Sequence, residues 1–410
     1  MVISIYIMAD AIAIGKGVGP AGLSALNITT PLLCLIISTG LLFGIGGSSL
    51  MSYYFGQEDY KEGQNYFTIS LISTGLIALF YWITYSLFCE QLLRMMGGKN
   101  EILEYAKQYM AYINLFIPVV TFSNFLSAFV RNDNHPNLSM AGVISGGVLN
   151  IILDYIFVFP LGMGMGGAAL ASALGMCLTV LIVSTHFFRK NNRLKLIRPY
   201  EVKHRFLKIL SNGIPSFLNE LSNGIIVCLF NLQILRYANE AALSVYSVIS
   251  NCSIFFSSLF CGVGQAVQPL ISTNYGASNQ KRVAEFKKYG LITIGVLSLL
   301  FAGIGLISPI TILKIFVSPT TELMAIANGA IRVFFFAYLF MGVNLFCSYY
   351  LQSTLSSIQA FVISLLRSIL LSCFLVFLLP VFFGITGIWT VMPITEFLTV
   401  LLAIFYLKRG

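Results

Sequence analysis

The sequence predicts an all-α polytopic membrane protein: twelve transmembrane helices in two six-helix parallel repeats, with the first helix cut short. Three observations carry this. Only 10% of the 410 residues are charged and 57% are hydrophobic, against roughly 25% charged in an average soluble protein. Apolar runs of about 20 residues, the length that crosses a bilayer, recur along the whole chain and leave no room for a soluble domain. Matching residues also return in one register at an offset of 220.

The predicted spans cover residues 1–14, 24–55, 67–89, 109–130, 138–159 and 168–188, then 207–235, 242–275, 289–313, 325–351, 359–381 and 388–407. Charges mark the breaks between them. The break after the sixth span holds Arg189, Lys190, Arg193, Lys195, Arg198, Lys203, Arg205 and Lys208, the densest basic cluster in the chain, and the positive-inside rule makes it cytoplasmic. Counting outward places Lys61, Arg131, Lys281, Arg282, Lys287, Lys288, Lys408 and Arg409 on the same side. The opposite breaks keep only scattered charges such as Lys16, Arg94, Lys99, Arg236 and Lys314. Topology thus accounts for the net charge of +9 without a nucleic-acid partner. A basic n-region with a cleavage site is missing, so the first span is expected to act as its own insertion signal.

The repeat pairs Leu23-Ser24 with Leu243-Ser244, Gly44 with Gly264, Leu50 with Leu270, Ser52 with Ser272, Gly56 with Gly276, Pro160 with Pro380 and Gly167 with Gly387. Six spans per unit bring both halves into the membrane from the same side, as parallel repeats. Residues 1–190 form the expected N-terminal lobe, 191–206 a basic cytoplasmic linker and 207–410 the C-terminal lobe. Transporters of this plan bind substrate between their halves and alternate access by rocking, which favours a carrier over a pore.

Other function classes find little support. The eight cysteines, Cys34, Cys89, Cys177, Cys228, Cys252, Cys261, Cys347 and Cys373, are scattered without metal spacing and read as packing residues. His135, His186 and His204 form no HxxxH or HExxH site, and there is no Walker A loop, so neither an enzyme nor direct use of ATP is expected. No cofactor is expected either.

Acids inside the spans are few: Asp10, Asp154, Glu220 and Glu396. A carboxylate at the bilayer centre costs at least about 2.5 kcal/mol on insertion scales, so each needs a partner, a proton or a task. Tyr6 and Asp10 are four residues apart, as are Asn150 and Asp154, so each pair shares a helix face. Glu220 and Asn223 stand one turn apart in the seventh span, just past Pro215. Glu396 reads as half of a structural ion pair.

Several motifs follow one another in a recognisable order. They are Tyr6-Ile7-Met8-Ala9-Asp10 with Gly15-Lys16-Gly17-Val18-Gly19-Pro20 and Leu23-Ser24-Ala25-Leu26, Gly44-Ile45-Gly46-Gly47-Ser48-Ser49 with Tyr54-Phe55-Gly56, and Asn150 to Asp154. Gly166-Gly167-Ala168-Ala169, Gly213-Ile214-Pro215, and Gln268-Pro269-Leu270 through Asn274-Tyr275-Gly276 complete the set. Together they resemble the multidrug and toxic compound extrusion (MATE) family, over essentially the whole chain. Pro215 to Glu220 looks most like its bacterial branch.

The resemblance implies a secondary antiporter in the cell membrane that exports lipophilic, often cationic, drug-like molecules in exchange for protons or sodium. It implies that Asp10, Tyr6, Asn150 and Asp154 take up the coupling cation in the N-terminal lobe, with Na+ an option at Asp10, Asn150 and Asp154. Ser172 stands where proton-coupled relatives usually carry a threonine, keeping the hydroxyl. Glu220 and Asn223 are expected to bind cationic substrate, with a second proton site or an ion pair from Glu220 to Arg332 or Arg367 as the open alternatives. A seventh-helix acid pairs in sodium-coupled relatives with an aspartate in the tenth, which here reads Arg332-Val333-Phe334-Phe335-Phe336-Ala337-Tyr338 and contributes no acid. A flippase for a lipid-linked precursor would want a large cationic cleft, and the spans hold only Arg332 and Arg367. A non-drug metabolite exporter remains a further reading. A monomer in contact with membrane lipid is expected.

At the repeat offset Asp10 meets Phe230 and Asp154 meets Phe374, which concentrates coupling in the N-terminal lobe. Met1 meets position 221, well inside the seventh span, so about half of the first helix is missing from the repeat. The source gene is therefore predicted to extend upstream in frame; a stop codon directly before Met1 would contradict this.

Overall fold

The computed structural model describes residues 2–316 and 320–409, with all their side chains except those of residues 2–9, 20, 240 and 409. Every regular element among them is helical. The helices are α1 (Val2–Gly17), α2 (Pro20–Gly56), α3 (Tyr60–Met95), α4 (Asn100–Asn132), α5 (Pro136–Val158), α6 (Gly164–Ser184), α7 (Val202–Tyr237) and α8 (Glu240–Gly276). They continue as α9 (Gln280–Ile307), α10 (Pro309–Phe316), α11 (Thr321–Phe335), α12 (Tyr338–Ser353), α13 (Ser357–Leu365) and α14 (Leu371–Arg409).

Among the described residues ten helical stretches are long and apolar enough to cross a membrane. The last of them, Ser357–Lys408, holds two of the predicted spans. Its chain turns at Gly384, whose φ of 56° suits a residue without a Cβ. Gly387 then comes to rest against the Leu379 carbonyl, so the eleventh and twelfth predicted spans run side by side. The tenth predicted span is α11 and α12, with a break at Phe336–Ala337.

The chain divides into two compact units, one of Val2–Leu221 with residues 276–278, the other of Ser222–Tyr275 with Asn279–Gly410. In the first, α5 lies along α6, α2 along α4, α4 along α6, and α1 against α5. Small residues permit this closeness, as at other helix contacts in lipid. A Cβ on Gly175 would stand 2.6 Å from the Gly146 carbonyl oxygen, so α5 and α6 touch backbone to backbone. The start of α7 joins this unit through Asn212, which donates to the Gly46 carbonyl at 3.3 Å. The second unit is centred on aromatic rings: Phe256 stacks on Phe301 at 4.1 Å, and Phe230 on Tyr246 at 5.0 Å.

Segment 191–201 contains no helix, yet it is fastened to the first unit by α3 and the α4–α5 turn. Asn65 donates to the Tyr200 carbonyl at 3.1 Å and accepts the Tyr200 N–H at 3.2 Å, copying a backbone ladder with one side chain. Thr68 accepts the Ile197 N–H, Gln64 donates to the Arg193 carbonyl, and buried Asp133 accepts the Arg193 N–H. Asp133 also holds buried His186 at 2.7 Å. Where α7 begins, Arg205 grips Glu62 through two nitrogens at 2.7 and 2.9 Å. The Tyr200 hydroxyl donates to the same carboxylate at 2.7 Å; burial, aided by that carboxylate, pushes its pKa up to about 12, so it stays a donor at physiological pH. A basic stretch that composition marks only as cytoplasmic is thus a strap with its own clamps. Removing one partner of a largely desolvated pair strands the other charge, at about 3 kcal/mol. Glu62→Ala is expected to lower the melting temperature of the detergent-solubilised protein, and an unchanged transition would refute the clamp.

Candidate cation site

The N-terminal unit gathers four of the sequence-predicted side chains at one point. Asp10 on α1, Asn150 and Asp154 on α5, and Ser172 on α6 are 6%, 2%, 2% and 5% exposed. Local sequence explains how they meet. The four-residue spacing of Asn150 and Asp154 puts both on one face of α5. The glycine contact between Gly146 and Gly175 lies one turn from Asn150 and three residues beyond Ser172, so α6 brings its hydroxyl within reach of α5.

Ser172 Oγ donates to Asp10 Oδ2 at 2.7 Å, and Asn150 Nδ2 donates to Asp10 Oδ1 at 3.1 Å. Asn150 Nδ2 also reaches Ser172 Oγ at 3.2 Å, closing a triangle in which each donor polarises the next. Both Asp10 oxygens therefore receive an N–H or O–H, the arrangement that suits an ionised carboxylate.

Asp154 is treated differently. It lies close enough to Asp10 and Asn150 to act on them electrostatically, yet neither of its carboxylate oxygens makes a hydrogen bond of standard geometry. The Asn150 Oδ1 is likewise buried and unpartnered. Three oxygens on this face of α5 are thus buried without donors, and a buried acceptor left so costs about 1–3 kcal/mol, more when charged. A bound proton or a small hard cation would satisfy them. On its outer side Asp154 lines an open cavity of about 530 Å³ between α1 and α5, shared with Ile12, Ala13, Lys16, Ile151, Tyr155 and Phe159.

The Tyr6 side chain lies outside the described residues. Glu220 is half-buried, near enough to Cys34 of α2 to influence it, and makes no hydrogen bond or ion pair among the described residues. Asn223 is exposed and falls beyond the unit boundary at Leu221. Arg367, one of the two partners the sequence left open for Glu220, pairs with Glu396 at 2.7 Å. Sequence reading anticipated an ion pair for Glu396 and missed Asn344, whose Nδ2 donates to its second carboxylate oxygen at 2.7 Å. An asparagine inside an apolar span was the available signal.

A family model described as MatE matches residues 1–156 and 215–399. The multidrug export protein MepA of Staphylococcus haemolyticus is 28% identical over 389 residues, 93% of this chain and 84% of that protein. Among solved structures, an outward-facing multidrug resistance MATE family transporter of the MOP superfamily shares the fold with a TM-score of 0.92 at 21% identity, covering 100% of this chain and 92% of that one. The MATE multidrug transporter DinF-BH superposes with a TM-score of 0.90 at 25% identity, over 100% and 92% of the two chains.

Proposed function

The chain belongs to the MatE family, and from that premise we propose that it is a secondary active antiporter exporting lipophilic, often cationic, small molecules in exchange for protons or sodium by alternating access. The observation that carries the reading is the buried Asp10, Asn150, Ser172 and Asp154 cluster, where one carboxylate is fully donated to and the next is not. MepA, named a multidrug export protein, and DinF-BH, named a MATE multidrug transporter, support the cargo class.

The mechanism follows from the donors. With Asp10 ionised, Ser172 and Asn150 hold it in place. A cation arriving through the cavity beside Lys16 and Asp154 meets three unpartnered oxygens. A proton placed between the two carboxyl groups removes one charge from the membrane interior; sodium would use the Asp154 and Asn150 oxygens as hard ligands. Either change alters which groups on α1, α5 and α6 attract one another. Such a charge change is worth several kcal/mol in a dry interior, enough to bias two access states. Lobes of residues 1–190 and 207–410, joined by the 191–206 linker on the cytoplasmic side of the cell membrane, would supply the alternating element. The working unit is a monomer surrounded by lipid.

Glu220 and Asn223 are the proposed contacts for cationic cargo, Glu220 because it is an acid in α7 without a partner among the described residues. In proteoliposomes Asp10→Asn is expected to insert normally and to lose at least 10-fold in gradient-driven drug efflux, with imposed proton and sodium gradients tested separately. Undiminished efflux in that variant would refute the assignment.

A further inference from the structure

The second charged group of the membrane interior occupies a position with a counterpart in the other repeat. Counting back 220 residues from Arg367 gives Gly147, three before Asn150 on α5; from Glu396 it gives Met176, four after Ser172 on α6. Offsets of three and four keep a residue on the same helix face. Arg367 and Glu396 therefore stand on the equivalent helix pair as the N-terminal cluster, one turn away.

What fills that level differs between the repeats. In the first unit Gly146 and Gly175 bring α5 and α6 into backbone contact. Their repeat mates are Leu366 and Thr395, which forbid so close an approach, and the adjacent space holds a charged pair. Arg367 Nε donates to Glu396 Oε1 at 2.7 Å, while Asn344 Nδ2 donates to Oε2 at 2.7 Å and to the Glu396 carbonyl at 2.9 Å. Glu396 is 0% exposed, and each of its carboxylate oxygens has a donor, unlike those of Asp154. The chain also makes a π-turn at Leu366–Leu370, a one-residue widening frequent at functional positions. The Arg367 carbonyl there is satisfied by the Ser372 hydroxyl at 2.6 Å.

We propose that the Arg367 guanidinium is a tethered cation: it does for Glu396 what an exchangeable cation does for the N-terminal carboxylates, so the C-terminal unit takes up no ion and the cation-to-drug ratio is set by the N-terminal site alone. The chemistry is specific. A guanidinium keeps its proton at any physiological pH, and its covalent tether keeps it from leaving with the transport cycle. Arg367 and Glu396 thereby determine stoichiometry without touching drug. This rests on the antiport reading above.

The test measures the cation-to-drug ratio in proteoliposomes, from the drug gradient that just balances a fixed cation gradient, for the wild type and two variants. Arg367→Gln leaves Glu396 buried without its cation, and the ratio is expected to rise by one. The double variant Arg367→Gln/Glu396→Gln removes both charges while keeping polar side chains that can bond to each other and to Asn344, and is expected to keep the wild-type ratio. A double variant that loses one cation per drug would show that the pair itself exchanges ions and would overturn the proposal, as would Arg367→Gln working at the wild-type ratio. If Arg367→Gln is not recovered from membranes, the double variant decides alone. A wild type without any cation-driven flux would sink the antiport reading together with this one, whereas a coupled wild type with a wrong variant ratio sinks only this.

Discussion

A carboxylate buried in an apolar interior must be paired, protonated or left in want of a cation, and the polar architecture of this chain is organised around those three outcomes. Glu396 is paired, by Arg367 and Asn344. Glu62, at the edge of α3, is paired by Arg205 and Tyr200. Asp10 is held by two neutral donors, and Asp154 beside it has none. The first two arrangements fix structure. The third leaves two buried carboxylate oxygens without a donor, the opening that the proposed coupling would use.

The repeat shows how a single fold supports both outcomes. At the position of Asp10 the second repeat has Phe230, stacked on Tyr246 in an aromatic core. At the position of Asp154 it has the exposed Phe374. Glycine contacts between α5 and α6 let short side chains from three helices meet; bulkier residues at the equivalent level make room for a long guanidinium instead. Helix packing and charge chemistry have thus diverged together, since the distance between two helices decides which polar groups can close across it.

Much of this was legible in the sequence because the signals are long or rare. Twelve apolar spans, the 220-residue register and four intramembrane acids need no fine geometry, and the i,i+4 spacing of Asn150 and Asp154 sets their shared face. The convergence of Asp10 with Asn150 and Ser172 came from family resemblance, and the helices do bring those three into bonding contact. What stayed hidden depends on pairing between distant residues. Nothing local says that Asn65 will copy a ladder with Tyr200, that Asp133 will meet His186, or that Arg367 will meet Glu396. A basic segment reads as a topological marker, while its role as a strap needs its backbone partners to be seen. The break between the eleventh and twelfth predicted spans comes down to one non-helical residue, Gly384, at a φ of 56°.

The proposed antiport requires that the cation taken up by the Asp10 cluster leave when drug binds. It is tested most directly by adding drug to the detergent-solubilised protein in weakly buffered solution and recording the protons released, with sodium release followed in parallel. The account predicts that the wild type expels a proton or a sodium ion on drug binding and that Asp10→Asn binds drug while expelling neither. Equal release from the two proteins would contradict it.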